Sequence, residues 1–87
     1  MKIRDGYIKC KTFDSWVVIA TGAARGNNNM MLKMNETASD IWDGIEAGKT
    51  EDEIVSGIVS EYDITEEAAR KHVLAVIEKL REAEILE

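Results

Sequence analysis

The chain has 87 residues, no proline and 45% apolar residues, which together predict a single domain over residues 1–87. One cysteine, Cys10, excludes an internal disulfide framework, and with the one histidine, His72, it leaves too few ligands for a structural zinc site. No residue set in the sequence stands out as able to run a reaction, so we expect no catalysis, no metal and no cofactor. The absence of a signal segment or a long apolar run predicts a cytoplasmic protein without membrane association.

Charge is divided unevenly along the chain. Residues 1–35 contain six Lys/Arg and two Asp, a net +4, whereas residues 36–87 contain five Lys/Arg and fifteen Asp/Glu, a net −10, which gives the total of −6. A winged-helix DNA-binding domain needs a basic recognition surface. The acidic second part therefore argues against a nucleic-acid partner, although DNA binding and a purely structural oligomerisation module stay open as alternatives.

Two strands are predicted near the start of the chain. The first alternates, with Ile8 and Cys10 on an apolar face and Lys9 and Lys11 on the other, as in a half-buried strand. Residues 16–21 are rich in β-branched side chains and suit a second strand that is covered on both faces. We expect the two lysines to protect the outer edge of the first strand.

A third strand is predicted over residues 30–34, after the Gly- and Asn-rich loop 22–29. Its faces carry Met30, Leu32 and Met34 on one side and Met31 and Lys33 on the other. We expect Met30 and Met34 in the core and Met31 as a contact residue, because thioethers adapt to irregular apolar partners. Short connections predict an antiparallel meander in which the third strand is an edge guarded by Lys33 alone.

Three helices are predicted in the strand-free part, residues 35–87. The first begins near Asn35 or Thr37 and ends at Gly48, with Gly44 weakening the pattern at its middle. A capping box at residues 50–53 starts the second helix, and Thr65 caps the third.

The third helix carries two adjacent stripes. The first consists of Ala69, Val73, Val76 and Leu80, and the second of Arg70, Leu74, Ile77 and Arg81. One stripe is enough to face the other helices, and for Ile77 simple burial is an alternative. We interpret Leu74 and the two arginines as lining a groove between this helix and the third strand.

Several motifs in order resemble the PqqD family. Residues 31–38 lead from a strand into an Asn-x-Thr-Ala helix start, and residues 41–50 hold an Ile-Trp pair and a Gly-Lys-Thr turn. An Ala-Arg-x-x-Val segment and a Leu-Arg-Glu-Ala-x-Ile-Leu ending follow, so the resemblance spans roughly residues 6–86. It implies an α+β fold with a three-stranded antiparallel sheet, about residues 6–34, followed by a three-helix winged-helix-like bundle, about residues 35–87.

The resemblance also implies a function. Members of the family are non-catalytic recognition elements that bind the leader segment of a ribosomally made precursor peptide and present it to a modifying enzyme, often of the radical S-adenosylmethionine (SAM) type, in coenzyme PQQ or other peptide-product biosynthesis. The leader adds a strand to the third strand and lies against the third helix. The peptide-binding residues predicted on this basis are Met30, Met31, Leu32, Lys33, Met34, Arg70, Leu74, Ile77 and Arg81. A homodimer is left open.

Two residues depart from the family pattern. His72 stands where the family often has Asp, one residue before the third-helix Val, and this difference predicts an altered partner preference. Glu84 stands where a Gly often ends that helix, which predicts a different exit from it.

Overall fold

The computed structural model describes residues 1–22 and 32–87 and shows three antiparallel strands followed by three helices. The elements are β1 (Tyr7–Lys11), β2 (Trp16–Ala20), β3 (Leu32–Met34), α1 (Glu36–Glu46), α2 (Glu51–Tyr62) and α3 (Glu66–Glu82). The strand order is β1-β2-β3, so the α+β class and the meander with β1 and β3 at its edges are confirmed. Met30 and Met31 lie outside the described residues.

The face that β1 turns toward the helices is the opposite of the predicted one. Tyr7 is buried and the Lys9 side chain is only 11% exposed, whereas Ile8 on the other face is 45% exposed. The Lys9 ammonium donates to Ser39 Oγ and to Asp43 Oδ1, both at 2.6 Å. The alternation was predicted correctly, but Lys9 does not protect the edge, because a lysine buries its methylenes readily when a carboxylate meets its charge.

The core lies between the sheet and the three helices. The β2–β3 register pairs Trp16 with Met34 and Val18 with Leu32. These four residues therefore lie on the same face of the sheet as Tyr7 of β1. Met34 is 5% exposed and so confirms its predicted core position. The largest side chains with less than 2% exposure are Trp42, Ile41, Leu80, Val18, Val55 and Val73.

The three helix starts follow the capping signals in the sequence. Asn35 Oδ1 accepts from the N–H of residue 38 at 2.8 Å, and Thr65 Oγ1 accepts from that of residue 68 at 3.1 Å. At the capping box Thr50 N donates to Glu53 Oε1 at 2.9 Å and Glu53 N to Thr50 Oγ1 at 3.2 Å. The hydrogen bond from the Thr50 N–H lowers the pKa of Glu53. Each cap satisfies donors that the first helical turn leaves unpaired.

Contacts between helices and chain ends close the fold. The Tyr62 hydroxyl donates to Asp40, which links α2 to α1 and, together with burial, raises the pKa of Tyr62 to about 12. At the chain ends, Arg4 N donates to Ile85 O at 2.8 Å and residue 87 N to residue 2 O at 2.9 Å. These bonds hold the first residues beside the end of α3.

The exit from α3 keeps the geometry that a glycine normally provides. Glu84 has φ +61°, and the N–H of Ile85 donates to the Leu80 carbonyl at 2.9 Å across the helix end. This left-handed turn is the usual helix termination. The prediction of a different exit is therefore wrong: the chain turns in the same way but uses a residue with a Cβ.

We expect Glu84→Gly to stabilise the fold by about 1 kcal/mol, because glycine adopts positive φ without the steric cost that a side chain carries there. In a chain of this length that gain corresponds to a melting temperature higher by about 4–8 °C. Thermal unfolding followed by circular dichroism measures the shift. Glu84→Ala is the matched control, since it removes the carboxylate but keeps the Cβ; an equal gain in that variant would contradict the conformational explanation.

In the described part of the chain, no helix is both long and apolar enough to cross a membrane.

Candidate functional site

Strand β3 leaves one side of its backbone open. Its residues Leu32, Lys33 and Met34 pair with β2, and on the other side no strand of residues 1–22 or 32–87 pairs with it. In an antiparallel strand the main-chain donors and acceptors of successive residues point alternately to the two sides. Part of the hydrogen-bonding capacity of β3 therefore faces an open edge, which is a template for another extended chain.

A groove of about 570 Å³ runs beside this edge, between β3 and α3. Its apolar part is formed by Leu32, Met34, Ala38, Ile41, Ala75, Val76 and Leu80, with Thr37 and Asn35 at the start of α1. Its charged or titratable part consists of Lys33, His72, Glu78, Lys79 and Glu82. An apolar floor with a charged rim suits an amphipathic chain better than a small polar ligand.

The helical repeat explains how α3 contributes its wall. His72, Val76 and Lys79 are spaced four and three residues apart, so they fall within about 60° of one another around the helix. The neighbouring direction holds Val73 and Leu80, both fully buried against the sheet and the other helices. The side chains of α3 that form the groove wall therefore lie along one side of the stripe that faces the core.

The structure does not place the predicted second stripe of α3 beside β3. Leu74 lies about 160° around the helix from both His72 and Val76. Together with Ile77 and Arg81 it lines a different recess, of about 620 Å³, between α3, the α1–α2 turn and Met1. The prediction that Leu74 and Arg81 line a groove beside β3 is therefore wrong. The core-facing stripe of α3 has a flank on each side, and the flank that carries Val76 is the one that faces β3.

Arg70 and Ile77 make contacts inside the domain. Arg70 donates to Glu51 at 2.7 Å and to Asp52 at 3.0 Å, and it lies 3.8 Å from Glu66. The hydrogen bond to Asp52, followed by that to Glu51, raises the pKa of Arg70. This network joins the first turns of α2 and α3. Ile77 is 5% exposed and belongs to the core, as the simpler interpretation held.

The predicted residues of β3 do lie at the groove. Leu32 is half-buried, Lys33 is exposed at the rim and Met34 is buried at the floor. The part of the groove that α1 and α3 form was missed by sequence reasoning: Val76, for example, was assigned to the core stripe, and Lys79 was given no role. The 3.6-residue period from His72 through both of them was the available signal.

The groove continues past the end of β3 into a recess of about 450 Å³. This recess shares Lys33, Met34 and Asn35 with the groove and adds Lys11 and Trp16. The ammonium nitrogen of Lys11 lies 5.3 Å from the centroid of the Trp16 ring, within the range of a cation–π contact. A chain extended along β3 therefore has a path to the β1–β2 turn.

The fold and the site together define a small winged-helix-like domain in which the third helix flanks an open sheet edge. The family model for Coenzyme PQQ synthesis protein D (PqqD) matches residues 16–86. This chain belongs to the PqqD family.

Two solved structures are similar to the chain. One is TbiB1 in complex with the TbiA(beta) leader peptide, with a TM-score of 0.81 and 25% identity over 100% of this chain and 95% of that one. The other is a lasso peptide synthetase B1 complexed with the leader peptide, with a TM-score of 0.75 and 20% identity over 93% of this chain and 89% of that one. At 20% identity the second similarity shows the fold alone. A search of curated protein sequences returned no significant match.

Proposed function

We propose that this protein binds the leader segment of a ribosomally made precursor peptide by strand addition to β3 and presents the peptide to a modifying enzyme. The observation that carries the proposal is the edge of Leu32–Met34, which no strand among the described residues pairs, beside an apolar groove. Membership of the PqqD family supports it, and so does the leader peptide in the complex of TbiB1.

Backbone and side chains have different tasks in this mechanism. Hydrogen bonds to the β3 edge hold the leader with little dependence on its sequence, whereas the groove selects for apolar side chains. Burying two or three large aliphatic side chains contributes about 4–8 kcal/mol before losses. Ordering a flexible peptide costs several kcal/mol of that sum. Side-chain burial alone therefore gives roughly millimolar affinity, and tighter binding requires the hydrogen bonds to the β3 edge and the charged rim.

The charged rim adds selectivity for the flanking residues of the leader. Lys33 and Lys79 make no ion pair with any residue in the described ranges, so they are available to acidic leader residues. Glu78 and Glu82 on the same rim disfavour a nucleic acid, since a duplex is a dense array of phosphates. The electrostatic share of leader binding weakens with salt.

The remaining parts of the proposal rest on the family and on the sequence. We propose a non-catalytic role in the cytoplasm, with the chemistry carried out by a partner enzyme of the radical SAM type. Support for the absence of catalysis comes from the single cysteine and single histidine of the chain. We propose that the precursor peptide and the modifying enzyme are encoded by genes that neighbour this one.

Amide shift mapping tests the binding mode. Titrating the ¹⁵N-labelled protein with a synthetic leader of the precursor encoded beside it is expected to perturb the amides of residues 32–34 and those of His72, Val76 and Lys79. Amides of β3 that face the edge are expected to become protected from hydrogen exchange, because strand addition gives them acceptors. An unperturbed β3 under saturating peptide would reject strand addition at this edge.

A further inference from the structure

The exposed face of α3 centred on Leu74 carries a self-complementary pattern and shares Glu78 with the rim of the groove. Glu67, Arg70, Leu74, Glu78 and Arg81 lie within about 40° of Leu74 around the helix. Leu74 is 46% exposed and occupies the middle of the helix, eight residues from Glu66 and eight from Glu82. Along the helix, a negative and a positive side chain precede Leu74, and a negative and a positive side chain follow it.

We propose that this face binds a second copy of the chain, with the two α3 helices antiparallel and crossing at Leu74. A two-fold axis at Leu74 brings Arg81 of each copy opposite Glu67 of the other, and Glu78 opposite Arg70. Both pairs join opposite charges. In a parallel arrangement each residue would instead face its own copy, so like charges would oppose one another. The sequence pattern therefore selects the antiparallel arrangement.

Two further observations favour a second copy as the occupant. Leu74 borders the recess of about 620 Å³ between α3 and the α1–α2 turn, where Met1 and Ile77 give the Leu74 side chain of the other copy apolar contacts inside a charged lining. In addition, Glu67, Glu78 and Arg81 make no ion pair in the described part of the chain. Their charges are available to a partner without first breaking a contact inside the monomer. Arg70 is already bonded to Glu51 and Asp52, so the Glu67–Arg81 pair carries most of the charge complementarity.

The dimer leaves the leader groove open. The groove wall at His72 and Val76 lies about 160° from Leu74, on the opposite flank of α3. Two copies joined at Leu74 therefore expose two β3 edges on their outer sides. The apolar contact is small compared with the roughly 800 Å² per partner of standard stable complexes, so we expect association to be weak and visible at high protein concentration.

Sedimentation equilibrium of the purified protein tests the proposal. The apparent mass is expected to rise from 9.7 kDa toward twice that value as concentration increases to the millimolar range. Arg81→Glu and Glu67→Arg are each expected to weaken association by about tenfold, because each puts two like charges together. The double variant Glu67→Arg/Arg81→Glu is expected to return to within about threefold of the wild type, since it restores both pairs with exchanged signs.

Leu74→Asp supplies a second and independent test. It is expected to leave the helical spectrum unchanged, because the residue is exposed, and to abolish the rise in mass. A wild-type protein that stays monomeric at every concentration would overturn the proposal, as would a double variant that associates no better than the single ones. A monomeric wild type whose affinity for the leader falls in Leu74→Asp would assign this face to the peptide instead.

Discussion

Val76→Asp is expected to weaken leader binding by about 30-fold or more while the domain stays folded. Val76 is half-buried at the floor of the groove, where an apolar leader side chain would cover it. A carboxylate in that position either remains hydrated and excludes the leader side chain or is buried without a partner. Either outcome costs about 2–3 kcal/mol or more, and each 1.4 kcal/mol is a factor of ten in affinity.

Isothermal titration with the leader peptide measures the loss, and α3 offers a matched control. Leu74→Asp puts the same carboxylate on the same helix only two residues away, but on the opposite flank. We expect it to keep the wild-type affinity within about twofold, as for other surface substitutions away from a contact. Equal losses in the two variants would mean that the groove is not the binding surface.

A second substitution guards against a trivial loss of fold. Val76 packs partly against the core, so its replacement lowers stability to some extent. Ala75→Glu changes an exposed residue of the same groove and is not expected to disturb the core. It should also lower leader affinity, because the longer charged side chain occupies the path of the peptide. Wild-type affinity in Ala75→Glu would contradict the proposed path.

Gly44→Ala is expected to destabilise the domain by up to about 2 kcal/mol, although alanine is the better helix former. A Cβ at Gly44 would lie 2.9 Å from Cγ1 of Ile54, a buried residue of α2. Overpacking of this kind costs roughly 1–3 kcal/mol, whereas the gain in helix propensity is about 1 kcal/mol. The steric term exceeds the propensity term, and urea unfolding measures the difference.

Gly57→Ala is the matched control for this prediction. Gly57 lies inside α2 with no atom within 4 Å of an added Cβ, so only the propensity term applies. We expect a gain of up to about 1 kcal/mol. In a double-mutant cycle, Gly44→Ala should cost less when Ile54 is also replaced by alanine. An unchanged cost in that background would mean that contact with Ile54 is not the cause.

Local signals in the sequence were sufficient for the elements of this fold. Asn35, Thr50 and Thr65 start the three helices because their side chains satisfy backbone donors only a few residues away. The weak point in the pattern of α1, Gly44, has a tertiary origin: a close approach to α2 excludes a side chain there. From the sequence, Gly44 counted only as a cost to the helix, because its contact with Ile54 in the next helix leaves no local signal.

Periodicity, capping and composition are local or additive properties, and they were enough to predict the α+β class, the order of the three helices and the edge position of β3. Packing in three dimensions was needed to show which face of β1 is buried, with Lys9 reaching Asp43, and which flank of α3 meets β3. The sequence of an amphipathic helix shows which stripe faces the core. It does not show which of the two sides of that stripe lies beside a particular neighbour, because this depends on how the helix packs. The groove therefore passes Val76 and leaves Leu74 to the opposite surface.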